Sequence, residues 1–148
     1  MKKITIMLLS IASAVFAFGN NHNEVTITGN DSMQFDVKSF DASKGTDFKL
    51  TFKNVGKLPK IAMGHNLVVL KKGVSAIAFG QKVLAAGGSA TNPLPDSVKG
   101  DVLAATKLLG PGETEILKFK IPNEPGSYEY VCTFPGHFAM MRGTMTVK

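Results

Sequence analysis

The chain has 148 residues, a formal net charge of +6, three histidines, seven methionines, one cysteine and no tryptophan. That length suits one domain of ordinary size, and a single cysteine excludes an internal disulfide. The lysines are scattered, without the dense runs and interleaved aromatics of nucleic-acid binders, so the charge reads as solubility and a bias toward acidic partners, with no nucleic acid among them.

Lys2 and Lys3 form a basic head, residues 4–16 are apolar except for Thr5, Ser10 and Ser13, and Val15-Phe16-Ala17 closes the run on a small residue. This is the pattern of a cleaved secretory signal over residues 1–17, with Ala14 or Gly19 as alternative ends. A membrane anchor would want about 20 apolar residues, and this run breaks at Gly19-Asn20-Asn21. Residues 18–148 then make a single domain without a membrane span. Its formal charge falls from +6 to +4 with the loss of Lys2 and Lys3. Export also sharpens the meaning of the lone cysteine. Disulfides persist outside the cytosol, so an unpaired thiol there is buried and inert, reactive, or bound to a metal.

Short period-2 stretches come next. Val25 and Ile27 alternate with Thr26 and Thr28, and Met33, Phe35 and Val37 with Gln34, Asp36 and Lys38. Phe48, Leu50 and Phe52 alternate with Lys49, Thr51 and Lys53. Later come Leu117, Phe119 and Ile121 with Lys118 and Lys120, then Met145 and Val147 with Thr144 and Thr146. Each predicts a strand with one buried face. Turn signals separate them at Gly29-Asn30-Asp31, Ser43-Lys44-Gly45, Asn54-Val55-Gly56, Gly110-Pro111-Gly112 and Asn123-Glu124-Pro125-Gly126. The middle, residues 71–109, is rich in Ala, Gly and Leu. Val74 to Ala86 predicts a helix ended by Gly87-Gly88, and Asn92-Pro93-Leu94-Pro95 fits neither a helix nor a central strand. The expected fold is all-β, a Greek-key β-sandwich or barrel with one short helical insertion on its outside.

Three candidate metal ligands lie in one segment with the spacing Cys-x4-His-x3-Met: Cys132, His137 and Met141. Tyr128, Tyr130 and Cys132 alternate with Glu129 and Val131, which puts Cys132 at the inward end of a strand. Pro135-Gly136 can turn the chain so that His137 returns toward the sulfur. Thiolate, imidazole and thioether are a soft set that favours copper over hard cations. A second imidazole would complete a blue-copper pattern, two His and one Cys in a plane with a weak axial Met. His22 lies beside the signal segment, whereas His65 lies in Met63-Gly64-His65-Asn66 directly before the apolar strand Leu67–Leu70, so His65 is the natural partner. A nucleophilic Cys-His pair would not need Met141, and no carboxylate or amide is placed to orient its base. A structural zinc site would usually add further Cys or His ligands.

Taken together, these residues resemble the azurins, bacterial members of the cupredoxins, over nearly all of residues 18–148. The resemblance rests on Gly29-Asn30-Asp31-Ser32-Met33-Gln34-Phe35, Leu58-Pro59-Lys60 with Met63-Gly64-His65-Asn66, Thr106-Lys107-Leu108-Leu109-Gly110, and Cys132-Thr133-Phe134-Pro135-Gly136-His137. It implies a cupredoxin fold and one type 1 copper ion, Cu(I) or Cu(II). The equatorial ligands would be His65, Cys132 and His137, the axial thioether Met141 rather than Met140, and the Gly64 carbonyl a weak fifth contact. Asn66 would brace the Cys132 loop through hydrogen bonds, while Phe134 and Phe138 would keep the site dry. Three departures stand out. The disulfide usual near the N-terminus of azurins falls at Asn23 and Gly45-Thr46, and its loss would cost roughly 2–4 kcal/mol. A non-ligand histidine near the site is Asn54 here, and a buried tryptophan is Leu67.

The implied function is a periplasmic electron carrier, not an enzyme. It would be a monomer that passes single electrons to redox proteins such as a c-type cytochrome or a periplasmic reductase or oxidase. Docking would use an apolar patch of Leu58, Pro59, Ala62, Met63, Pro135 and Phe138 around the edge of His137. A periplasmic copper-delivery protein is the alternative binding role. A copper enzyme such as a nitrite reductase would need a second metal site, and after His65 and His137 only His22 remains.

Overall fold

The computed structural model describes residues 23–148; the signal segment over residues 1–17 and His22 lie outside the described residues. In chain order the elements are β1 (Glu24–Asn30), β2 (Gln34–Phe35), β3 (Ser39–Ala42), β4 (Asp47–Asn54), α1 (Lys60–Met63), β5 (Val68–Leu70) and α2 (Ala76–Ala85). Beyond α2 lie a 3-10 turn (Asp96–Asp101), β6 (Val102–Ala105), β7 (Thr114–Lys120), β8 (Gly126–Val131), a second 3-10 turn (His137–Ala139) and β9 (Arg142–Val147). Among the described residues, no helix is long and apolar enough to cross a membrane.

The strands form two mixed sheets, ordered β2-β1-β4-β7 and β3-β9-β8-β5-β6. They pack as a sandwich and do not close into a barrel. β1 runs parallel to β4, and β3 parallel to β9. Alternation along each strand supplies the core. Phe48, Leu50 and Phe52 of β4 and Ile27 of β1 face Tyr128 and Tyr130 of β8 and Met145 of β9. The Tyr130 ring is fully buried, and its hydroxyl is satisfied by donating to the Val37 carbonyl at 2.7 Å.

β5 reads Val-Val-Leu without alternation because both of its faces are covered. Val69 points into the sandwich, while Val68 and Leu70 join a second cluster with Phe79 and Val83 of α2, Val98 and Val131. The buried residues of α2 are Ala76, Phe79, Gly80 and Val83, a single helical stripe. Ser75 caps the helix start, and Glu129 of β8 accepts the Ala76 N–H at 2.8 Å, tying the helix to the sheet. Gly87, at φ +84°, ends the helix as expected: its N–H donates to Leu84 and that of Gly88 to Val83.

Two local expectations fail. Met33 to Val37 is not one strand. Met33 sits at φ +55° in a turn, and the Asp36 carboxylate accepts the Thr28 and Val37 amides in place of a ladder, leaving only Gln34–Phe35 paired. Nor is residues 71–109 wholly an outside excursion. Its end returns as β6, which pairs with β5 and forms the edge of the five-stranded sheet. At the N-terminal end, Thr46 donates its hydroxyl to the Asn23 side chain at 3.2 Å, and the Asn23 carbonyl accepts the Lys49 N–H at 2.9 Å. These contacts hold the segment where the azurin resemblance would put a disulfide.

Truncating Phe79 tests the outer cluster. Phe79→Ala should lower unfolding free energy by about 3–5 kcal/mol, read from urea unfolding. Val69, Tyr130 and Cys132 lie on the other side of the sheet, so the sandwich core should keep its near-ultraviolet signature.

Candidate metal centre

Each donor is held by backbone before any metal is considered. α1 is one turn, closed by the Gly64 N–H donating to the Lys60 carbonyl at 2.8 Å. A Cβ on Gly64 would lie 2.6 Å from that carbonyl oxygen and 2.9 Å from the Leu108 side chain, so only glycine fits this approach. The next residue, His65, exchanges two hydrogen bonds with Leu109, at 3.0 and 2.7 Å. Its backbone is thereby pinned between the two sheets.

Cys132 comes directly after β8, and its N–H donates to the Met141 carbonyl at 2.9 Å. Gly136, at φ +83°, reverses the loop. The His137 N–H then donates to Phe134 at 3.0 Å and the Met141 N–H to His137 at 2.8 Å. Asn66 locks the two ligand-bearing segments together. Its Oδ1 accepts the Thr133 N–H at 2.8 Å, and its Nδ2 donates to the Thr133 hydroxyl at 2.8 Å.

This framework brings three donor atoms together. The Nδ1 atoms of His65 and His137 are 3.2 Å apart, and the Cys132 sulfur lies 4.0 and 3.6 Å from them. A point equidistant from all three atoms of that triangle is about 2.1 Å from each, a first-row metal–ligand length. All three side chains are buried. Burial and the neighbouring His65 hold the His137 imidazole down at about 4. Burial likewise lowers His65, partly opposed by the Asn30 backbone and Asp31. The Cys132 thiol is pushed up to about 12 by burial, offset in part by the Asn66 and Phe134 amides. Neutral imidazoles and a thiol can share this space through hydrogen bonds, but a single cation at the common point would engage all three donor atoms at once. Two nitrogens and one sulfur suit copper.

The remaining candidates fall around this triangle. Met141 is fully buried and Met140 is 51% exposed, so of the adjacent pair only Met141 turns inward. A Cβ on Gly29 would meet the Met141 methyl at 2.5 Å and His65 Cδ2 at 3.4 Å, which sets Met141 beside the His65 ring. Asn54 is buried behind His65 and donates to the Leu109 carbonyl at 3.0 Å. Leu67 is fully buried. The Phe134 ring packs against the His137 ring, tilted by 37° with centroids 4.5 Å apart. Phe138 departs from expectation: it packs against Gly80 of α2 and the outer cluster, not on a surface patch. A large flat ring beside a helical glycine is better buried there than in water. Sequence reasoning missed Thr133, Leu109 and Gly29 as parts of the site. Only Gly29 carried a signal, a glycine inside a strand where something approaches closely.

Comparison with known proteins places the chain in a family. The profile described as "Copper binding proteins, plastocyanin/azurin family" matches residues 21–148. The azurin of Alcaligenes faecalis is 41% identical over 128 residues, spanning 82% of this chain and 95% of that one. The azurin of Pseudomonas aeruginosa is 35% identical over 153 aligned positions, spanning 99% and 98%. A solved azurin (Az-iso2) from Methylomonas sp. strain J superposes with a TM-score of 0.71 at 32% identity, covering 84% of this chain and 97% of its own. The chain therefore belongs to the plastocyanin/azurin family of copper-binding proteins, and His65, Cys132 and His137 form its candidate type 1 copper site. Members of this family carry electrons and are not enzymes.

The depressed imidazoles make the metal-free protein acid-sensitive. In the unfolded chain a histidine takes up its proton near 6.5, but in the fold His137 does so only near 4. Between those values the unfolded state binds more protons, so stability is complete above pH 6.5 and falls as pH drops toward 4. Urea midpoints of metal-free protein at pH 7, 5.5 and 4.5 should decline in that order. A flat series would show that the imidazoles are not desolvated.

Proposed function

We propose that this chain is an exported single-electron carrier whose copper would be held by His65, Cys132 and His137, with Met141 as a weak thioether donor. The Gly64 carbonyl would offer the copper a further, weak oxygen donor. The buried His-Cys-His triangle, with Met141 turned inward beside it, is the observation that carries this reading. Copper supplies the redox couple, Cu(II)/Cu(I), when bound.

The chain's own residues do the rest. Burial removes the water that would otherwise reorganise around a changing charge. The Asn66–Thr133 hydrogen bonds and the His65–Leu109 bridge hold the donors in one arrangement for both oxidation states. Amides of Asn66 and Phe134 directed at the Cys132 sulfur favour its thiolate and moderate its electron donation. His137 keeps 3% of its surface exposed and His65 none, so the shortest route from site to solvent runs through His137.

Around that route we place the docking patch. Leu58, Pro59 and Ala62 are exposed, and Met63 and Pro135 are half-buried. An apolar, weakly charged surface suits brief encounters with redox proteins such as a c-type cytochrome or a periplasmic reductase or oxidase. Periplasmic export by the signal over residues 1–17, with residues 18–148 as a monomeric carrier, completes the proposal.

The deciding experiment is an absorption and electron-paramagnetic-resonance spectrum of Cu(II)-loaded protein, then reduction and reoxidation. An intense blue band with narrow copper hyperfine splitting that bleaches reversibly is expected, and Cys132→Ser should abolish it. A pale spectrum, or copper lost on reduction, would favour metal delivery instead. Met63→Glu should slow electron exchange with a c-type cytochrome by about tenfold and leave the colour intact.

A further inference from the structure

A groove of about 720 Å³ opens beside the metal centre, between α1, residues 90–94 and residues 105–108. Nothing in the electron-carrier reading uses it. Its walls are apolar where Ile61, Leu94 and Leu108 meet, and Ile61 leaves 63% of its surface in water. Its charged residues are Lys60, Lys99 and Lys107, and no acidic residue lines it. Lys60 and Lys99 are held by exposed ion pairs with Glu113 and Asp96, which cost little to rearrange. Lys107 makes no ion pair among the described residues.

The floor adds two buried donors. Thr106 accepts the Leu67 N–H at 2.9 Å, and its own hydroxyl hydrogen has no acceptor among the described residues. Asn66 gives one amide hydrogen to Thr133 and keeps a second. One wall is preformed. The Ser89 N–H donates to the Asn92 carbonyl at 3.0 Å and the Asn92 N–H to the Ser89 hydroxyl at 3.1 Å, while the fixed φ angles of Pro93 and Pro95 stiffen the chain on either side of Leu94. Glu115 accepts the Lys107 backbone N–H at 2.9 Å from outside the lining and leaves the Lys107 ammonium free of an ion pair among the described residues. A concave apolar site with donors and cations and no acidic lining residue selects its ligand by chemistry.

We propose that this groove binds a small organic anion, an apolar body carrying one carboxylate or sulfonate. The body lies on Ile61, Leu94 and Leu108, and the anionic head meets Lys107 and the donors of Asn66 and Thr106. Asn66 also clamps Thr133, so an occupant touches a residue that braces the loop of Cys132.

The probe is 8-anilinonaphthalene-1-sulfonate, titrated by fluorescence into purified protein with any bound copper reduced, so that Cu(II) does not quench the signal. Saturable binding of one probe per chain is expected, with amide NMR shifts concentrated at residues 90–94 and 105–108. Lys107→Glu should weaken it about tenfold, whereas Lys44→Glu, the same charge change at the far end of the sandwich, should alter it by less than about twofold. Equal losses in both variants would mean diffuse attraction to a basic protein and overturn the proposal. So would unsaturable binding, shifts clustered elsewhere, or equal affinity for the uncharged analogue N-phenyl-1-naphthylamine.

Discussion

Two hydrogen bonds between the side chain of Asn66 and Thr133 join the segment that presents His65 to the loop that presents Cys132 and His137. Nearly everything else about the site depends on this junction. Asn66 and Thr133 are 67 residues apart in the chain, and each is buried. A buried amide left without partners costs about 1–3 kcal/mol. The pair is therefore self-enforcing: either residue without the other would leave polar atoms stranded in the core.

Around that junction, the sandwich performs a second task. Gathering two imidazoles and a sulfur out of water is unfavourable, as the lowered histidines and the raised thiol both record. The fold sustains this because its stability comes from elsewhere. The Phe35, Phe52 and Tyr130 rings pack at 5.6–5.7 Å between the sheets, and α2 seals the outer face through a separate cluster. An arrangement that the donors would not choose alone is thus imposed on them. That is the condition for a site whose geometry changes little when its charge does.

Much of this was legible in the chain. Alternation located β1, β4, β7, β8 and β9 because each has one wet face, and the capping glycines located the end of α2. β5 was legible as an unbroken apolar strand, because both of its faces are buried, whereas β6 is half-buried throughout and looks like loop. Met33 to Val37 misled because the Asp36 carboxylate takes over hydrogen bonds that a ladder would have made. Phe138 misled because its place depends on Gly80, a residue far away in the chain.

The identity of the donors was written in the sequence: one cysteine, a histidine and a methionine at loop spacing, and one further histidine ahead of an apolar strand. Ligand chemistry depends on residue type, and residue type is local information. What only the tertiary structure decided is how those donors meet. The 3.2 Å approach of the two imidazoles, the inward turn of Met141 rather than Met140, and the Leu109 and Thr133 partners all join residues distant in the chain. Such contacts are set by packing two sheets against one another, and no local pattern encodes which atoms that packing will bring within reach.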